Sequence, residues 1–304
     1  MERAWSMTIK FKKVGIFTRP ELDEEGQRIC SNLIEWLIRR KVTPYLSEST
    51  IKKIPKLKNK LQEKIIIGET HQLLKDSNLI ISLGGDGTLI STARNLKNSR
   101  IPILGVNLGN LGFTTEFSKS ELFDELELIL KNKFDFYKLS LFSATVFDRF
   151  KKIQKSFFVN DAVVGRKDVA RLIEISIQTQ GQNIYDLRGD GLIISSPIGS
   201  TAYSLAAGGP IIHPNSKSMV ITPISPHSLN HRPIVIPESF ELKVKPKNTF
   251  QNLQLTLDGQ EAIELNMDRY VLIKKSSKTP VKIITNPGKN YFLTLKNKFT
   301  LGRS

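Results

Sequence analysis

LIISLGGDGTLIST, residues 79–92, changes its hydrophobic period part-way along. Residues 79–83 are nearly all apolar, as a strand buried on both faces must be. They run straight into Gly84-Gly85-Asp86-Gly87, after which a helix is expected over 88–96. Neighbouring segments repeat this alternation. Residues 14–18 (VGIFT) read as a strand ending at Arg19-Pro20, and 22–40 carry Ile29, Leu33, Trp36 and Leu37 at helical spacing. Residues 103–106 (ILGV) read as a third strand and 118–130 as a further helix. Strands alternating with helices predict an α/β N-terminal domain built on a parallel, Rossmann-like sheet with right-handed crossovers.

The texture changes near Tyr137. Short β-rich runs follow, at 141–147, 156–164, 171–178, 192–195, 234–236, 241–244, 253–257, 270–273 and 281–284, punctuated by Pro, Gly, Asn and Asp. They predict stacked antiparallel sheets, with one helix-like interruption at 200–207 and a short helix after Asn290. The expected division is 1–136 as the α/β domain, 137–286 as a β-rich domain, and 287–304 packing back on the first.

Composition removes several classes. The 304 residues carry 45 Lys+Arg against 29 Asp+Glu, a formal charge of +16. The single cysteine, Cys30, excludes an intrachain disulfide framework and a multi-thiolate zinc site. Of the four histidines, His227 and His231 have metal-like spacing but flank a Pro-rich turn, while His71 and His213 stand apart. No apolar run is long enough to span a bilayer, and MERAWSMTIKFKK lacks the apolar core of a signal peptide, so a reducing cytoplasm is expected. The densest basic run, IKKIPKLKNKLQEK (51–64), has no interleaved aromatic to stack on a base, so no specific nucleic-acid or membrane partner is expected. It reads as an exposed loop.

The glycine turn carries the first candidate chemistry. Gly84, Gly85, Gly87 and Thr88 would let a phosphate approach backbone amides at a helix N-terminus. Asp86 among them repels an anion unless it meets a cation or takes a proton. It is therefore a candidate general base, a Mg²⁺ contact, or simply a helix cap. The turn has neither the Gly-Lys-Ser/Thr ending of a Walker A loop nor the dinucleotide Gly-x-Gly-x-x-Gly spacing.

Further polar islands follow in order. They are NLGNLGF (107–113), Asn160-Asp161, Arg188-Gly189-Asp190-Gly191 leading into LIISSPIGSTAYSLAAGGP (192–210), SPHSLNHRPIVI (225–236) and LDGQ (257–260). Their order and intervals resemble the NAD kinase family over nearly the whole chain. GGDGT alone also occurs in diacylglycerol and sphingosine kinases; its combination with GSTAY is far more specific.

The resemblance implies a two-domain NAD kinase-like fold with the dinucleotide held between the domains. It implies transfer of the terminal phosphate of ATP, or of polyphosphate, to the 2′-hydroxyl of the adenosine ribose of NAD, giving NADP. Asp86 would be the catalytic base or orienter. NAD would be bound by Gly87, Asn160, Asp161, Arg188, Asp190, Thr201, Ala202 and Tyr203, with Asn160 and Asp161 on adenine and ribose. Phosphate would meet Gly84, Gly85, Gly87 and Thr88. No protein-held metal site is implied, Mg²⁺ entering with the substrate phosphates and touching Asp86 at most. Relatives of this kind are homodimers or homotetramers.

The residue types suit those tasks: Tyr203 offers an aromatic face, Asn160 an amide for the adenine edge, and carboxylates accept ribose hydroxyls. Taken singly, Tyr203 reads more readily as helix core than as pocket, and Asn160-Asp161 as a turn pair. Three positions depart from the family pattern: Asp161 stands for Glu, Ile198 for Thr, and Ala206 for Ser. None touches Asp86. A lipid kinase would need an apolar entry surface, and a non-catalytic NAD(P) sensor or nucleic-acid binder would show no turnover.

Overall fold

The computed structural model describes residues 9–54, 62–96, 100–109, 112–166, 172–247 and 253–299. The chain divides into two compact units, Met1–Leu139 with Thr279–Ser304, and Ser140–Lys278. Half of the lysine run, residues 55–61, lies outside the described residues.

The first unit alternates β1 (Lys13–Thr18), α1 (Glu24–Arg39), β2 (Thr43–Ser47), α2 (Glu48–Lys52), β3 (Ile66–Gly68), α3 (Thr70–Asp76), β4 (Leu79–Gly84), α4 (Asp86–Asn95), β5 (Pro102–Asn107), β6 (Phe117–Ser118), α5 (Leu122–Leu130) and β7 (Phe136–Leu139). Every residue of β4 and β5 is buried, as expected for strands covered on both faces. Asp23 caps α1 by accepting from Gly26 N–H, and Ile29, Leu33, Ile34 and Leu37 form its buried stripe. β2, β3, α2 and α3 span two turns or fewer, or five residues or fewer, too short for a periodic pattern to stand out.

The sheet runs β3-β2-β1-β4-β5-β20-β7, where β20 is Val281–Ile284. The sequence predicted a parallel sheet; it is mixed, because β20 is parallel to β5 but antiparallel to β7. Val281 sits opposite Leu139, so the points where the chain leaves and re-enters this unit lie side by side. The expected β-rich domain through 286 is corrected accordingly: Val281–Ile284 belongs to the first sheet. Three apolar residues and a lysine suit either sheet, and only long-range pairing decides between them. The chain ends in α7 (Tyr291–Phe299), whose Phe299 stacks on Phe113 at 5.5 Å between centroids.

The second unit holds two six-stranded sheets. One comprises β10 (Asp161–Arg166), β13 (Gly191–Ser195), β14 (Ser218–Ile224), β15 (Ile234–Pro237), β17 (Leu253–Leu257) and β18 (Glu261–Leu265). The other comprises β8 (Phe142–Asp148), β9 (Lys151–Phe158), β11 (Ile173–Thr179), β12 (Gln182–Gly189), β16 (Leu242–Pro246) and β19 (Arg269–Lys275). Ala162, Val164, Ile194 and Leu255 from the first sheet share one core with Phe142, Val146, Ile175 and Val271 from the second. The period of two then turns Asp161 and Val163 to the opposite face of β10, where α6 (Tyr203–Ala206) and the turn before it lie.

Candidate active site

β1 has β2 on one side and β4 on the other, so the strand order reverses there, and Asp86 follows the carboxyl end of β4. Asp86 is the first residue of α4, and Gly85 is the cap. The carboxylate does not cap its own helix. Phe113 N–H donates to Oδ2 at 2.7 Å, while Thr114 N–H, Thr115 N–H and Thr115 Oγ1–H donate to Oδ1 at 3.1, 2.8 and 2.8 Å. Asn107, at the end of β5, donates from Nδ2 to Thr115 Oγ1 at 2.9 Å and accepts Gly109 N–H on Oδ1. That bond orients the Thr115 hydroxyl, leaving its proton for Asp86. Gly112 is required by contact, since a Cβ there would lie 1.9 Å from Asp86 Oδ1.

The glycines of the turn act by clearance rather than by unusual φ. Gly84, Gly85 and Gly87 are absent from the positive-φ positions, and Gly85 has φ −129°. A Cβ on Gly85 or Gly87 would meet nothing within 4 Å, so the backbone lies open there, and no side chain caps α4. Gly84 is packed against Thr88, whose side chain is buried and whose N–H donates to Gly85 O. Tyr137 on β7 and Glu116 stand near this carboxylate. Burial, then the charges of Glu116 and Asp86, push the Tyr137 phenol above its ordinary value. Burial also raises Glu116, against Asn286 N–H and Lys289.

In the second unit, Asn160, Asp161, Val163, Ala202, Tyr203, Thr256, Asp258 and Gly259 line a cavity of about 390 Å³. Four residues anticipated from sequence, Asn160, Asp161, Ala202 and Tyr203, thus come together. Tyr203 is 48% exposed, which excludes a core role. Asn160 Oδ1 is buried with no hydrogen-bond partner among the described residues. Gly199 explains part of the GSTAY spacing: a Cβ would fall 2.0 Å from Asn160 O, so only glycine lets this turn lie against the Asn160 backbone. Ser196 N–H donates to the same carbonyl at 2.8 Å.

Asp161 is 5% exposed, and burial first, then the charge of Asp258, push its carboxyl up to about 7. The remaining anticipated residues lie apart from this cavity. Thr201 donates its hydroxyl to Ile198 O at 3.1 Å, Arg188 pairs with Glu174 at 3.6 Å, and Asp190 pairs with Arg166 at 3.3 Å. Sequence reasoning missed Asn107, Thr115 and Asp258 as individual site residues. The first lies in a segment already marked by its glycines and the last in the Asp-Gly turn, but Thr115 had no signal.

Residues 14–134 match the family model described as the ATP-NAD kinase N-terminal domain, and residues 159–285 the ATP-NAD kinase C-terminal domain. The chain belongs to the NAD kinase family. It is 36% identical to an NAD kinase of Trichlorobacter lovleyi and to one of Geobacter sulfurreducens, covering 96% of this chain and 99% of each relative. Two solved structures share the NAD kinase fold at 21% identity. A yeast NADH kinase complexed with NADH superposes with TM-score 0.85, covering 96% of this chain and 89% of that one. An Archaeoglobus fulgidus NAD kinase in complex with ATP gives 0.72, covering 95% and 98%. Among the described residues, no helix is long and apolar enough to cross a membrane.

Proposed function

We propose that the chain is an ATP-dependent NAD kinase, transferring the terminal phosphate of ATP to the 2′-hydroxyl of the adenosine ribose of NAD and releasing NADP. The observation that carries this reading is the cavity of the second unit, which Asn160, Asp161 and the exposed Tyr203 line together, the Asn160 amide oxygen being buried and without a hydrogen-bond partner among the described residues. An acceptor stranded in that way costs free energy until a donor arrives, and the adenine amino group supplies one. The Tyr203 ring gives a base a face to stack on, and ionised Asp161 accepts from ribose hydroxyls.

The donor count assigns the two oxygens of Asp86 different tasks. Oδ1 holds three donors and is saturated; among the described residues Oδ2 accepts only Phe113 N–H, which leaves it a lone pair. Oδ2 therefore accepts the proton of the 2′-hydroxyl as that oxygen attacks the terminal phosphorus and the bond to ADP breaks. The space beside Gly85 and Gly87, where even a Cβ would meet nothing, leaves room for phosphate oxygens at the head of α4. Thr88 supports the turn from within, and Gly84 packs on it. Arg188, Asp190 and Thr201 stay in the reading as outer contacts to the dinucleotide.

Magnesium enters with the nucleotide. Among the described residues no three His, Cys, Asp or Glu side chains cluster to hold a cation, so the substrate phosphates would be its main ligands. Bound to the phosphates, such a cation would supply neutralisation of the charge that develops during transfer. A cytoplasmic homodimer or homotetramer is part of the same reading, supported by family membership.

The test is NADP formation on mixing the chain with Mg²⁺ and NAD or NADH, crossing ATP with polyphosphate. NADP from ATP and NAD is expected. Phosphorylation of a lipid instead, or salt-dependent DNA binding without turnover, would reverse the reading.

A further inference from the structure

Asp258 opens the turn between β17 and β18, where Gln260 N–H donates to Leu257 O at 2.9 Å. Both central residues have positive φ, 50° for Asp258 and 65° for Gly259, as in the mirror-image turns that suit hairpins. That backbone turns the Asp258 carboxylate onto a different loop. It accepts from three successive amides: Val159 N–H at 3.1 and 3.0 Å, Asn160 N–H at 2.7 Å and Asp161 N–H at 3.2 Å. Asp258 N–H donates back to Asp161 O at 3.0 Å. Two segments about a hundred residues apart are thereby locked at the cavity wall.

We propose that Asp258 is a positioning residue for nucleotide recognition, clamping the 159–161 backbone so that Asn160 and Asp161 face the cavity, and making NAD affinity pH-dependent through its charge. The inference rests on the assignment of that cavity to the adenosine half of NAD. β13 and β17, which flank β10, carry no ionisable side chain, and the 196–203 segment offers only the Tyr203 phenol. Glu261 on β18 is engaged by Gln154 and Ser156. Among the described residues Asp258 is therefore the charge that faces Asp161, and the Asp161 carboxyl is pushed up to about 7, by burial first and then by that charge. The ionised form accepts ribose hydroxyls, so NAD binding strengthens as pH rises through that value.

Two variants separate clamp from charge. Asp258→Ala deletes the acceptor of three amides and should raise the Kd for NAD by roughly tenfold or more, with kcat at saturating NAD little changed. Asp258→Asn keeps a carbonyl acceptor and tolerates positive φ, but removes the charge. It should move the midpoint of the Kd–pH profile to lower pH, and the Asp161 carboxyl-carbon titration, followed by NMR without ligand, should move the same way. An Ala variant with unchanged Kd would overturn the clamp; an Asn variant whose profile and titration overlay the parent's would overturn the charge coupling. If the parent itself binds no NAD, the adenosine assignment fails, and the clamp's role in recognition with it.

Discussion

Replacing Asp86 by Asn tests the chemistry and the packing of the turn at once. The carboxylate accepts four donors, three on Oδ1 and one on Oδ2. An amide has only one oxygen. The better of its two orientations keeps that oxygen toward Thr114 and Thr115 and points its NH₂ at Phe113 N–H, a donor facing a donor. One partly buried N–H then loses its acceptor, which costs about 1–3 kcal/mol. For a unit of this size, each kcal/mol lowers Tm by about 2–4 °C, so a fall of about 2–12 °C is expected. Turnover should fall further, by about 10²–10⁴, because the remaining lone pair of Oδ2 is the proposed proton acceptor. NAD affinity should change little, since the Asn160 cavity belongs to the other unit. The assays are NADP formation under saturating ATP and NAD, NAD binding by calorimetry, and thermal melting. Turnover near that of the parent would refute the base role, and an unchanged Tm would refute the donor accounting.

Other expectations follow from the same contacts. Thr115→Val removes a buried hydroxyl that donates to Asp86 and accepts from Asn107, so melting should show a loss of about 2–4 kcal/mol, with kcat lowered and the KM for NAD nearly constant. Gly199→Ala drives a methyl into the Asn160 carbonyl; denaturant titration should show a cost of about 1–3 kcal/mol, with weakened NAD binding. Asp161 binds a proton in the folded protein that the unfolded chain releases nearer 4, so stability should fall as pH rises between about 4 and about 7. Asp161→Asn should flatten that decline, leaving the variant more stable than the parent at pH 8 and similar to it near pH 4; equal stability at pH 8 would contradict the raised carboxyl.

Much of this architecture is written locally. The apolar run 79–83 against a glycine turn specifies a buried strand entering a helix, because that choice depends on side-chain period and clearance within a few residues. Asp-Gly at 258–259 likewise encodes a hairpin turn, since both positions need positive φ. Motif order sufficed for the family, and Asn160, Asp161, Ala202 and Tyr203 were each legible as candidates. What each residue touches was not legible. The donors on Asp86 come from 27–29 residues away, and Asp258 reaches the amide of Asn160 from 98 residues away. Val281–Ile284 joins a sheet whose other strands were completed before residue 140. Local pattern records which face a side chain turns, but a carboxylate's role depends on the donors that reach it, and those come from segments that only the folded chain brings together.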